Sequence, residues 1–217
     1  VLEELRRTEY TTADGQTRRL LDEVDVVSGV SGGSFTALAY ALYGDRLFDE
    51  YEARFLKRNV QGALAKRSFL YPSNWFRLMS GTYGRSEIAA DYYDEILFEG
   101  ATFNDLLQGT GPMAIATGTD ITTGSRFSYY QDDFDLLCSD LGPVHLARAA
   151  ATSSAVPIVL SPVTLNNYGG TCDYEYPPWV KDLLAIEPKK RPAGRILERY
   201  RQMAEFNDGA NRPYIHL

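Results

Sequence analysis

The spacing of apolar residues changes period several times along the chain, and each change marks an element. Val1-Leu2-Glu3-Glu4-Leu5-Arg6-Arg7 carries apolar positions at helical spacing and predicts the last turns of an amphipathic helix. Thr11 to Thr17 is polar and contains Asp14-Gly15, a turn signal. The β-branched run Val24-Asp25-Val26-Val27-Ser28 predicts a buried strand. After Gly29-Val30-Ser31-Gly32-Gly33 the period becomes helical, with Phe35, Leu38, Ala39 and Leu42 on one face and Gly44 closing it. From Leu47 to Leu97 charged and aromatic residues recur at helical spacing, broken at Tyr71-Pro72, Gly81 and Gly84; several helices are expected, one over Ser86 to Phe98.

Met113 to Thr117 predicts a second strand and Arg126 to Tyr130 a third, paired across Thr122-Thr123-Gly124. Val144 to Ala151 is a short helix of small residues. Pro157 to Pro188, with five prolines and Gly169-Gly170, is expected as surface loop; Gly194 to Phe206 is a charged helix and Pro213 to Leu217 a strand. No repeat or linker divides the chain. Strands interleaved with helices predict one α/β domain, a sandwich with a mostly parallel sheet.

Composition narrows the class. With 44% hydrophobic and 24% charged residues over 217 positions, the chain can bury a core and is not disordered. Lys plus Arg number 22 against 29 Asp plus Glu; the net charge of −7 argues against a nucleic-acid partner and weakly against attraction to anionic membranes. No stretch approaches the ~20 apolar residues of a membrane span, so a soluble chain is expected. Cys138 and Cys172 have no metal-ligand spacing and are read as two buried thiols rather than a pair. Opening mid-helix and closing mid-strand, the sequence reads as a piece of a longer protein, truncated at both ends.

The sharpest chemical signal is Gly29-Val30-Ser31-Gly32-Gly33 between a strand and a helix. A serine there sits on a strained turn with its hydroxyl above the sheet edge, and the N–H of Gly32 aims at a developing oxyanion. Gly29 and Gly33 are expected to touch across the turn, so that a Cβ at either would open it. The positive end of the helix favours the same anion. The alternative is a glycine-rich turn for close packing or phosphate binding, but a P-loop lysine and Gly-x-Gly-x-x-Gly spacing are missing.

These residues resemble the nucleophile elbow of the patatin-like phospholipases, in which Gly-Gly commonly follows the serine. Thr119-Asp120-Ile121-Thr122-Thr123-Gly124 is similar to that family's central strand and turn. Ala151-Thr152-Ser153-Ser154-Ala155-Val156-Pro157 is similar to its Ala-Ser-x-Ala-x-Pro segment, and Arg212 to Leu217 to the strand leading into its catalytic aspartate. The resemblance is closest to bacterial members and weakest over 47–98, a helical insertion, and 165–190. It implies a three-layer sandwich and a serine lipid acyl hydrolase with a Ser-Asp dyad, needing no cofactor or metal. Its partners would be a lipid ester and, transiently, a membrane surface; the protein would be soluble or peripheral, the bacterial envelope being one setting. The family's glycine-rich oxyanion loop is expected before Val1 and its Asp-Gly-Gly just beyond Leu217, leaving this stretch inactive alone. The alternatives are an inactive patatin-fold scaffold and a Ser-His-Asp hydrolase using His216.

Several residues have plainer readings. Asp208-Gly209-Ala210 spells the aspartate motif but follows a helix end, so Asp208 is read as a turn residue. His145 starts a helix as a cap, and His216 packs on the last strand. Asp120 orders the Thr122-Thr123-Gly124 turn. Asp132, Asp133 and Asp135 form a solvated acidic turn without EF-hand spacing. Trp75, Phe76, Leu78 and Met79 read as core under the helical stretch, with a lipid-admitting lid as the functional alternative.

Overall fold

A computed structural model describes residues 1–70, 84–155, 160–191 and 194–217, the side chains of 68–70 excepted. The aromatic cluster at Trp75–Met79 and the residues Val156 and Pro157 lie outside the described residues. Helix α1 (Leu2–Arg7) leads into a hairpin of β1 (Glu9–Thr11) and β2 (Thr17–Arg19). Strand β3 (Val26–Val30) and helix α2 (Gly32–Tyr43) follow, and Gly44, at φ +54°, closes α2 as the sequence predicts. The helical stretch comprises α3 (Arg46–Tyr51), which runs on as a π-helical turn over Glu52–Leu56, α4 (Val60–Leu70) and α5 (Arg85–Tyr93), which widens over Asp94–Phe98. After α6 (Phe103–Gln108) come β4 (Met113–Thr119), β5 (Arg126–Tyr129), α7 (Gln131–Leu136), α8 (Leu146–Ser153), β6 (Thr164–Asn166), α9 (Pro178–Ala185), α10 (Arg195–Phe206) and β7 (Tyr214–His216).

The result is a mixed α/β arrangement. β3 pairs in parallel with β4, from Val26 opposite Met113 to Val30 opposite Thr117, and β4 pairs with β5 antiparallel. The crossover through α2 to α6 permits the parallel pair, whereas the short turn at 120–125 can only return the chain antiparallel. Among the described residues one ladder is parallel and three are antiparallel. β3 lies at the edge of its three-stranded sheet, so Val26 and Val30 are exposed and only Gly29 within it is buried; a fully buried strand was expected.

α2 is buried nearly all round, with Phe35, Leu38, Ala39 and Ala41 in the core. Phe35 stacks on Phe55 and meets Tyr93 edge-on, both at 4.7 Å between ring centroids. That contact ties the helical stretch to the helix that starts at the elbow. α8 can approach α2, α5 and β4 closely because its inner face is Ala147, Ala149, Ala150 and Ala151, all buried. The fully buried Tyr129 shares a 2.6 Å hydrogen bond with Thr152 of α8. Burial pushes the Tyr129 phenol up to about 12, against the opposing pull of that bond, and it stays neutral at physiological pH.

Three expectations are corrected. The stretch 157–188 is not loop throughout: β6 pairs with β7, Val163 and Leu217 exchange backbone hydrogen bonds, and α9 starts at Pro178. Proline at the first helical turn lacks only an N–H that would be unpaired anyway, so Pro177-Pro178 starts a helix here. Cys138 and Cys172 are joined in a disulfide, their Cα atoms 5.7 Å apart, which fastens the loop before α9 to the end of α7. Asp133 is not solvated: it is buried, pairs with Arg199 of α10 and accepts the Ser128 N–H at 2.8 Å.

Candidate active site

The chain turns from β3 into α2 at Ser31, which has φ +54° and ψ −126°. An L-residue reaches that region at a cost of about 1–3 kcal/mol and stays there only when its surroundings hold it. Gly29 is the first constraint. A Cβ at Gly29 would lie 2.3 Å from the carbonyl carbon and oxygen of Gly33 and 2.5 Å from the Ser34 nitrogen, so only glycine lets strand and helix approach this closely. The expected reciprocal constraint at Gly33 is not found. A Cβ at Gly33 or at Gly32 meets nothing within 4 Å, because both point outward from the first turn of α2.

The second constraint comes from α8. Ser153 Oγ accepts the Ser31 N–H at 2.9 Å and shares a 2.7 Å hydrogen bond with Oγ of the fully buried Ser34. A serine pair thus fastens the elbow to a helix about 120 residues away in sequence. Ser153 lies in the Ala151–Pro157 segment noted for its resemblance, but the spacing of that segment gives no hint that its hydroxyl meets the elbow. Ser31 is exposed, and its Oγ has no hydrogen-bond partner among the described residues. Since the Ser31 N–H is used by Ser153, the unpaired N–H groups here are those of Gly32 and Gly33, the first two residues of α2.

A cavity of about 970 Å³ opens beside the elbow. Val30, Ile121, Leu160, Pro162 and Leu217 supply apolar wall, and Thr117, Thr152 and Ser153 supply hydroxyls. Arg85 and Arg126 also line it, and among the described residues no carboxylate does. Among the described residues neither guanidinium has an ion-pair partner. β7 reaches this cavity at Leu217, which packs beside Gly118 at the end of β4. A separate polar cavity of about 560 Å³ lies at the other end of α2 around Arg19, Asp22 and Tyr43, where Arg19 pairs with Asp22 and Asp45.

Asp120, directly after β4, is fully buried. It accepts the Thr123 hydroxyl at 2.8 Å and the Thr122 N–H at 3.2 Å, and pairs with Arg212. Burial pushes its carboxyl upward, but the Arg212 hydrogen bond, Thr123, Thr122 and the Arg212 charge outweigh that and hold it below the usual carboxylate range. It orders its turn, as expected from the sequence; Arg212, 92 residues away, is the partner that sequence reading did not find.

Asp208 bonds Asn211 through both carboxylate oxygens at 3.0 Å and forms the turn into β7, also as expected. His145 precedes α8, exposed, with Nδ1 3.8 Å from Asp94. His216 Nδ1 shares a 3.0 Å hydrogen bond with the Thr164 hydroxyl across the β6–β7 ladder. Neither imidazole bonds Ser31. Among the described residues no group of three or more His, Cys, Asp or Glu is arranged to hold a metal ion.

The family model for the patatin-like phospholipases matches residues 1–177, which carry the elbow, the Asp120 turn and α8. Comparison with curated proteins finds no match. With more than three-quarters of its length covered by that one model, the chain belongs to the patatin-like phospholipase family.

Proposed function

We propose that the protein is a serine hydrolase of lipid esters in which Ser31 is the nucleophile. Family membership suggests lipid acyl hydrolase activity. The observation that carries the assignment of Ser31 is its backbone: a strained, exposed serine at a strand-to-helix turn, with an unencumbered hydroxyl beside a largely apolar cavity. In this reading Ser31 Oγ attacks the ester carbonyl as its proton passes to a carboxylate base. The Gly32 N–H stabilises the oxyanion, and Gly29 keeps the elbow tight. The tetrahedral intermediate collapses as the base returns the proton to the leaving alcohol. Water, deprotonated by the same base, then cleaves the acyl-enzyme and regenerates Ser31.

The base in this proposal is the aspartate that the family carries after a strand like β7, and the glycine-rich loop preceding α1 completes the oxyanion hole. Residues 1–217 then form one domain, and in the full-length protein the family's three-layer sandwich is built around the β3–β4 pair. The substrate is an ester with an apolar chain and an anionic head group; the carboxylate-free cavity flanked by Arg85 and Arg126 supports that choice. Ser31→Ala in the full-length protein is expected to abolish hydrolysis of a short-chain nitrophenyl ester and labelling by a fluorophosphonate, with an unchanged circular dichroism spectrum. Retained activity would overturn the assignment. A wild-type protein that takes no label is instead an inactive patatin-fold binding module. Replacing His145 and His216 together should leave activity intact; its loss would favour a Ser-His-Asp hydrolase.

A further inference from the structure

The family match ends at residue 177, and the next element, α9, begins a stretch of different character. Residues 178–201 carry seven Lys and Arg against three Asp and Glu, a balance of +4, while the other 193 residues carry −11. The net charge of −7, which by itself disfavours anionic surfaces, averages over this asymmetry. The same stretch turns large apolar side chains to solvent. α9 buries Val180 and Leu183 but leaves Trp179 and Leu184 38% exposed, with Ile186 beyond it at 39%. α10 buries Met203 and Phe206 and leaves Ile196 56% exposed.

These residues converge. A groove of about 450 Å³ between α9 and α10 is walled by Trp179, Leu183, Ile186 and Ile196, with Arg195, Arg199 and one carboxylate, Asp182, also lining it. Arg199 is occupied by Asp133, and Lys181 and Lys190 pair with Glu175 and Glu187 at the surface. Lys189 and Arg195 are exposed and have no carboxylate partner among the described residues. Arg191 donates to the carbonyls of Leu184 and Ile186, which caps the end of α9 and fixes the direction in which the chain leaves it. Below, the Cys138–Cys172 disulfide fastens the approach to α9, and the Arg199–Asp133 pair fastens α10. Both helices are also anchored by buried side chains, Val180 and Leu183 on α9 and Met203 and Phe206 on α10.

We propose that the α9–α10 surface docks the protein on an anionic lipid bilayer. Exposed Trp, Leu and Ile beside uncompensated Lys and Arg is the combination that a membrane interface rewards: the apolar side chains enter the head-group boundary while the cations meet lipid phosphates. Charge complementarity selects this occupant over a second copy of the chain, since two surfaces that each carry unpaired cations at Lys189 and Arg195 repel each other. The docking reading does not depend on Ser31 and stands or falls separately from the proposed chemistry.

The test is co-sedimentation of the full-length protein with vesicles of phosphatidylcholine alone and of phosphatidylcholine with about 30 mol% phosphatidylglycerol. Binding is expected to the anionic vesicles and to fall steeply with added salt. Lys189→Gln with Arg195→Gln is expected to lower the partition coefficient about 25-fold, from roughly 5-fold per basic residue. Trp179→Ala with Ile196→Ser should lower it comparably, and all four variant positions should leave hydrolysis of a soluble nitrophenyl ester unchanged. In a Trp75→Phe background, Trp179 emission should shift to shorter wavelength on addition of anionic vesicles. Equal binding to both vesicle types, full binding by both double variants, or self-association through these residues without lipid would each overturn the proposal.

Discussion

Two turns at the ends of adjacent parallel strands invite comparison. Ser31 follows β3 and Asp120 follows β4, so the same end of one parallel strand pair carries a serine and a carboxylate. Their surroundings are opposite. Asp120 is fully buried and satisfied by a hydroxyl, an amide and a guanidinium. Ser31 is exposed and strained, and its hydroxyl bonds nothing among the described residues. A polar side chain whose partners are all supplied by the protein is spent on stability. One held in an unfavourable backbone conformation with its reactive atom free is available for chemistry. Asp120 is for the same reason a poor base: its depressed carboxyl pKa and the Arg212 charge oppose its taking a proton.

The largest effect is expected from unbalancing the satisfied turn. Arg212→Ala leaves a buried carboxylate without its cation and should cost about 3–5 kcal/mol in urea unfolding. The pH dependence should change with it. In the wild type the Asp120 carboxyl is held low, so its contribution is present above the unfolded carboxylate range near pH 4 and is lost as pH falls through the depressed folded value. In Arg212→Ala burial is less opposed, the folded value rises, and acid destabilisation should begin at higher pH. An unchanged acid midpoint would mean that the pair is not coupled to stability.

Gly29→Ala attacks the strained turn from within. Its methyl collides with backbone, so a loss of about 1–3 kcal/mol is expected together with loss of nucleophile labelling. Gly33→Ala, whose methyl meets open space, should retain far more stability, and equal losses at the two glycines would contradict the geometry. Ser153→Ala removes the acceptor of the Ser31 N–H and should cost about 1 kcal/mol, lowering kcat more than it raises KM because the elbow loosens. The smallest effect is expected from Ser31→Gly, which relieves the positive φ: the protein should become more stable by about 0.5–1 kcal/mol while losing activity, whereas Ser31→Ala should not gain stability. A Ser31→Gly protein no more stable than Ser31→Ala would show that the turn stores no strain.

Much of this was readable from residue order. α2, β4, β5 and α10 have sequence periods that match their burial, and the glycine requirement of the Gly-x-Ser-x-Gly elbow is local, because Gly29 meets Gly33 and Ser34 a few positions on. What escaped was contact between distant segments. Pro177-Pro178 looked like loop because a proline pair marks a turn and a helix start alike, and only the packing of Val180 and Leu183 decides between them. Cys138 and Cys172 were read as separate because two cysteines 34 residues apart have no sequence signature of pairing. Asp133, in an acidic run, was read as solvated because Arg199 lies 66 residues away.

The sequence by itself determined the elbow, its serine and the family, because a tight turn between a strand and a helix imposes its glycine spacing locally. Only the tertiary structure decided which polar groups are satisfied and which are free. It assigned Ser153 to hold the elbow and Arg212 to neutralise Asp120, and it set Arg85 and Arg126 in the wall of the cavity beside the elbow, where no carboxylate is found among the described residues. It also set Arg195 and Arg199 beside the apolar groove of Trp179, Leu183, Ile186 and Ile196. Satisfaction and charge balance are properties of neighbours in space, and burial multiplies their energetic consequence, so residue order alone does not fix them.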